Sequence, residues 1–256
     1  MKNQYAQRKS IPKAIRYGRL RPRYSLSALL LATLLAGISL AIYRYFSQAT
    51  VLSHPQQFDG RTDVAAVPDA PSFDLDSTFT IEARIKLPPR QSSRFDTSCI
   101  VSKGSGVLNT EHNYYLGVIN ANNRLHFHIG DGGGGYQHIV SEKPLSHGIW
   151  IRVAAIRADD TLTLYVDGKK CSEVKRTLDQ ATNDAPLHIG ATEDTRSRFY
   201  FAGEIDEIRI WNYPRTQKQL DRSFQFDAKP SMRGLVLVSK RDEETGDELS
   251  DATESR

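Results

Sequence analysis

Acidic side chains are absent from the first 24 residues, and charge of either sign is absent from Tyr24 to Tyr43. The first gap leaves eight cations unopposed: Lys2, Arg8, Lys9, Lys13, Arg16, Arg19, Arg21 and Arg23. The second leaves Leu26–Phe46 almost wholly apolar, with Tyr24, Tyr43, Tyr45 and Phe46 placed like interfacial aromatics. About 20 such residues cross the hydrocarbon of a bilayer. The pattern predicts a basic cytoplasmic leader (1–24) and a transmembrane signal-anchor (25–46). Everything that follows is then periplasmic or extracellular. Ser47-Gln48-Ala49 resembles a small-x-small cleavage site, so a cleaved signal peptide is the competing reading. The long leader, the spanning length and Arg44 favour the uncleaved anchor, and both readings export the rest of the chain.

Without the leader, 26 basic residues stand against 30 acidic ones, so the exported part is net acidic. The sequence pI near 9.0 therefore belongs to the leader, and no basic face is left for nucleic acid. Cysteine is scarce as well. Cys99 and Cys171 allow at most one disulfide, which an oxidising exterior permits and which the sequence alone does not place.

Long amphipathic helices are also missing, which excludes a parallel sheet built from alternating strands and helices. What remains is a series of short β patterns. The clearest is GIWIRVAAIRADDTLTLYVDGKK (Gly148–Lys170), two alternating strands at Ile149–Arg157 and Thr161–Asp167, with turns at Asp159-Asp160 and Asp167-Gly168. Other strands are expected at Gln56–Phe58, Asp63–Ala66, Phe79–Lys86, Cys99–Lys103, Tyr114–Ile119, Arg124–His128, His138–Ser141, Leu187–Gly190 and Phe199–Asn212. Arg90–Asp96 and Asn109–Asn113 read as irregular, and Arg215–Phe226 as a short helical turn.

Several blocks occur in order: FDGRTDVAAVPDAPSFDLDSTFTIEARIK, IVSKG, NYYLGV, LSHGIWIRVAA, TLTLYVDGKK, PLHIGA and FAGEIDEIRIWN. Together they resemble the laminin-G-like, concanavalin A-like jelly-roll modules. The resemblance covers roughly Val51–Asn212 and implies an all-β fold, a two-sheet antiparallel jelly-roll sandwich assigned to residues 51–227; the one transmembrane helix read from the apolar run precedes it. It also implies a non-catalytic role in binding glycans or proteins. Residues 228–256 are expected to form an acidic, disordered tail, with Gly234–Thr253 as the remnant of a further unit or, alternatively, a last edge strand.

Candidate chemistry is thin. Glu204-Ile205-Asp206-Glu207 suggests the carboxylate triad of jelly-roll glycosidases. Alternation puts Glu204 and Asp206 on one face and Glu207 on the other, so the third carboxylate is missing and no enzyme is expected. The resemblance implies instead a calcium held by Asp59 and Asp206 with backbone carbonyls. The alternative is that both acids accept turn hydrogen bonds without a metal. The glycine run Gly130–Gly135 lacks the helix and Lys-Ser/Thr pair of a phosphate cradle and reads as a mobile hairpin turn. Tyr114, Tyr115, Tyr136, Tyr200 and His112 are the candidate sugar contacts, expected to be exposed. His126 and His128 share a strand face, which without a third ligand reads as solvated. Trp150 and Trp211 are expected as core anchors. The partner is a glycan or, alternatively, an envelope protein; the bilayer is met through one helix, and no nucleic acid is expected.

Overall fold

The computed structural model describes residues 49–241 apart from 55–56, 76, 90–95, 105–110, 159, 193–198, 224 and 227. The leader, the expected anchor at 25–46, most of the cleavage motif and the tail beyond residue 241 lie outside the described residues. Among the described residues no helix is long and apolar enough to cross a membrane.

Among the described residues fourteen strands form two sheets. In chain order they are β1 (Thr50–His54), β2 (Gln57–Asp59), β3 (Ala65–Val67), β4 (Phe79–Lys86), β5 (Thr97–Gly104), β6 (His112–Ile119) and β7 (Arg124–Gly130). They continue as β8 (Tyr136–Val140), β9 (Trp150–Ala158), β10 (Thr161–Val166), β11 (Lys169–Lys175), β12 (Leu187–Ile189), β13 (Ala202–Trp211) and β14 (Leu235–Arg241). One sheet runs β1-β14-β13-β4-β9-β10-β11, with β2 also on β13; the other runs β3-β12-β5-β6-β7-β8.

The inner faces follow the period of two. Ile81, Ala83 and Ile85 pair with Ala155, Val153 and Ile151, and all six enter one core with Leu116, Val118, Leu125, Phe127 and Ile129 of the second sheet. Each Ile, Val, Leu or Phe side chain among them contributes roughly 1.5–3 kcal/mol by leaving water. The Asp167-Gly168 turn closes β10 on β11 with φ of 50° and 76°, the left-handed pair that a two-residue hairpin of the favoured twist requires.

The structure corrects several expectations. Leu235–Arg241 is a strand between β13 and β1, so the folded unit extends past residue 227. Its GLVLV run buries Leu235, Val236, Leu237 and Val238, which is what places it in the sheet instead of a tail. The β1–β14 pair is parallel, whereas the other pairings between these strands are antiparallel among the described residues. Asn113 lies inside β6 and is not irregular. Cys99 and Cys171 are free thiols, in β5 and β11 of different sheets.

Trp150 is not a core anchor. Alternation sends Ile151 inward, so Trp150 faces out, half-buried beneath Arg84 at 5.1 Å and Lys86 at 5.9 Å from its ring centroid. Trp211 is buried, but in a smaller cluster with Leu235 and Val238. The outer face of the first sheet is partly covered by the segment after β13, which includes helix α1 (Gln217–Asp221). Gln219 accepts the Thr216 N–H at 2.8 Å to start that helix, and Leu220 packs on Ala154 and Ile156.

Candidate functional site

The second sheet turns its alternate residues away from the core. Tyr115 pairs with His128 and His128 with His138, while His126 lies between Gly117 and Val140. His112, at the start of β6, and Tyr136, at the start of β8, complete the group. Four imidazoles and two phenols thus share one face. The Tyr115 and His128 rings stack at 4.6 Å, His112 and His126 each lie 5.2 Å from His128, and Tyr136 stacks on His138 at 5.7 Å. His128 Nε2 is 3.3 Å from His112 Nδ1.

The face is layered. His112, Tyr115, His126 and His128 are buried, whereas Tyr136 is 44% exposed and His138 is exposed beside it. Tyr115 lies flat because residue 117 is glycine. A Cβ there would stand 2.5 Å from the Tyr115 hydroxyl and 2.4 Å from the Ser98 carbonyl oxygen. Gly117→Ala is therefore expected to cost about 1–3 kcal/mol through displacement of that ring, read as a lower urea midpoint.

Burial sets the electrostatics. It pushes the His126 imidazole down to about 4, with His138 adding to the effect. His128 is held well below the usual imidazole range, by burial first and then by His112, His126 and His138. No acid figures among these causes, so His126 and His128 are neutral at physiological pH. Among the described residues no three His, Cys, Asp or Glu side chains converge at metal-binding spacing.

The sequence-predicted contacts divide accordingly. Tyr115, Tyr136 and His112 come together on this face, but only Tyr136 is exposed. Tyr114 points the other way, into the core, with its ring 5.7 Å from Phe79. Tyr200 is buried. His126 and His128 do share a face, yet it is enclosed and not solvated. The alternation of β7 reveals which face a residue takes, while its covering depends on contacts distant in sequence. His138 was missed as a contact because its proximity to Tyr136 follows from the β7–β8 hairpin.

The Gly130–Gly135 run is the hairpin loop leading into β8, with Asp131 Oδ1 accepting the Gly133 and Gly135 N–H groups at 2.8 Å each. These bonds hold the Asp131 carboxyl below the ordinary carboxylate range. A strand follows the glycines, as the hairpin reading requires.

Asp59 and Asp206 are not brought together. Asp59 pairs with Ala202, four residues before Asp206, a separation of roughly 13 Å along the strand. Asp59 accepts from the N–H groups of Arg61, Thr62 and Asp63 and the Thr62 hydroxyl. These bonds, the Thr62 N–H foremost, hold its carboxyl well below the ordinary range. Asp206 is 2.8 Å from Arg84.

A bulge at Asp206 also changes the facing of its neighbours. Ile205 pairs with Ile85 and Glu207 with Arg84, so Asp206 is the extra residue. Glu207 is thereby moved to the outer face, against expectation, and Ile208 into the core. Each carboxylate of the segment meets a cation at 2.8 Å: Glu204 with Lys86, Asp206 with Arg84 and Glu207 with Arg209.

Comparison with known proteins agrees with this architecture. A laminin-G family model, described as the concanavalin A-like lectin/glucanases superfamily, matches residues 59–221, and the chain belongs to that family. No curated protein sequence matches. Among solved structures, a Bacteroides ovatus protein to which carbohydrate binding has been ascribed is 21% identical with a TM-score of 0.57. The match covers 78% of this chain and 54% of that one, so this chain spans about half of its length. The CBM40 domain of the Ruminococcus gnavus IT-sialidase, solved with α2,3-sialyllactose, is 13% identical with a TM-score of 0.50, covering 68% of this chain and 95% of that domain.

Proposed function

We propose that the chain is a non-catalytic carbohydrate-binding module whose contact surface is the exposed rim of the imidazole–phenol face. One observation carries the reading: Tyr136 offers a 44% exposed ring, fixed by stacking on His138 over a rigid buried layer. A sugar ring stacks on such an aromatic face at little entropic cost, because the ring is already held. The solved relatives described as carbohydrate-binding support it. So does the state of the Glu204–Glu207 carboxylates, each engaged by a cation. The apolar run Leu26–Phe46 and its basic leader support display of the module outside a membrane.

The test is a glycan array with residues 49–241, run in calcium and in EDTA. A defined sugar class is expected to bind, and Tyr136→Ala is expected to weaken it at least tenfold, about 1.4 kcal/mol, with an unchanged melting midpoint. A blank array with folded protein overturns the reading. It would favour a protein partner, for which Ile149, 56% exposed next to Trp150, is the most exposed large apolar side chain among the described residues.

A further inference from the structure

Lys103, in β5, has a fully enclosed side chain. An ammonium accepts such a place only when its surroundings replace water. Its Nζ lies 2.7 Å from Asp69 Oδ1 and 3.4 Å from Asp74 Oδ1. It donates to the carbonyl oxygens of Asn183 at 2.5 Å and Ala185 at 2.9 Å, and Asn183 Oδ1 is 3.3 Å away. These five oxygens come from two segments distant in sequence.

An ammonium has three hydrogens, so five acceptors exceed what it can satisfy. The surplus is visible. Asp74 Oδ1 takes no hydrogen bond, and neither does the fully buried Tyr114 hydroxyl. Tyr114 lies directly opposite Lys103 in the β5–β6 pairing, and Asp74 and Asp69 reinforce the effect of burial in raising its pKa. Two carboxylates, two backbone carbonyls, an amide oxygen and a phenol are all hard donors. Their number matches the six to eight oxygens that calcium takes at about 2.3–2.6 Å. Asp69 and the two carbonyls, at 2.5–2.9 Å from Nζ, need move only a few tenths of an ångström, whereas Asp74 and the Asn183 amide oxygen, at 3.4 and 3.3 Å, must close by about 0.7–1 Å. The Asp69 and Asp74 side chains remain 30% and 27% exposed, which leaves a route from solvent.

We propose that this is a divalent-cation cage in which the chain's own ammonium takes the place of calcium. The Lys103 side chain ties the Asp69–Asp74 and Asn183–Ala185 segments to β5 and makes that end of the sandwich independent of calcium. Removal of the ammonium converts the cage into a calcium site.

The full chain is compared with Lys103→Ala and Lys103→Ser, each melted in EDTA, calcium and magnesium. The wild-type midpoint is expected to be the same in all three. Both variants are expected to melt lower in EDTA and to recover roughly 5–10 °C at calcium about a hundredfold over Kd. Magnesium, which demands octahedral geometry at about 2.0–2.1 Å, is expected to do much less. Terbium, a luminescent calcium substitute, is expected to light up in Lys103→Ser through the adjacent Tyr114 and to lose that signal when Asp69→Asn is added. Calcium that leaves both variants unmoved, fails to let either fold, or acts equally when Asp69→Asn is added overturns the proposal.

Discussion

Arg215→Met is expected to lower the folding free energy by about 3–5 kcal/mol, the cost of orphaning one member of a buried ion pair. Arg215 Nη1 meets Glu82 Oε1 at 2.5 Å and the Ser223 hydroxyl at 3.0 Å, and Nη2 donates to the Gln219 carbonyl at 3.0 Å. Its guanidinium lies 4.4 Å over the Trp211 ring, and its own N–H donates to Thr80 at 2.9 Å. Arg215 thus holds the segment containing α1 to the outer face of the larger sheet.

Glu82 bears most of the loss. Burial already raises its pKa, against the opposing pull of Arg215. Without the guanidinium the carboxyl is left charged and unpaired or takes up a proton. The double variant Glu82→Leu/Arg215→Met is expected to lose far less than the two single changes combined, since an apolar pair leaves no charge uncompensated. Urea midpoints for the four proteins decide it. A loss below about 1 kcal/mol for Arg215→Met would show that the pair behaves as a surface bridge.

The second large effect is acid sensitivity. An unfolded imidazole protonates near pH 6.5, whereas folded His126 does so only at about 4. Between these values the unfolded chain binds the proton and the folded chain does not. Stability is therefore full above about pH 6.5 and falls as the pH drops towards 4. His126 alone accounts for about 3 kcal/mol, and His128 extends the loss further down. Among the described residues the rings facing the pair are His112, Tyr115, Tyr136 and His138, and no carboxylate figures among the causes of either shift. The lowered carboxyls of Asp59 and Asp131 act below this window. Urea titrations from neutral to mildly acidic pH are expected to show the fall, and His126→Gln to flatten it. An unchanged midpoint in the wild type would refute the burial argument.

The sandwich was legible because its signals are local. Alternation in Phe79–Lys86 and Trp150–Val166, and the turn at Asp167-Gly168, are fixed by residues adjacent in sequence. The site was only half legible. Period two assigns Tyr115, His126 and His128 to one face, but whether that face meets water depends on parts of the chain far away. The same limit misplaced Glu207, because a single extra residue at Asp206 reverses every facing after it. It also concealed the surroundings of Lys103, whose oxygens come from residues 69–74 and 183–185. Val236 and its neighbours were read by the acidic residues that follow them, although their apolar run alone specifies a strand.

The parallel pairing of the first strand with the last has a mechanical consequence. Thr50 lies opposite Leu237 and His54 opposite Arg241, so the chain enters the pair at one end and leaves it at the other. Tension transmitted along the polypeptide would pull the two strands past each other lengthwise. All their cross-links would then bear the force together, as in a lap joint, instead of parting one after another.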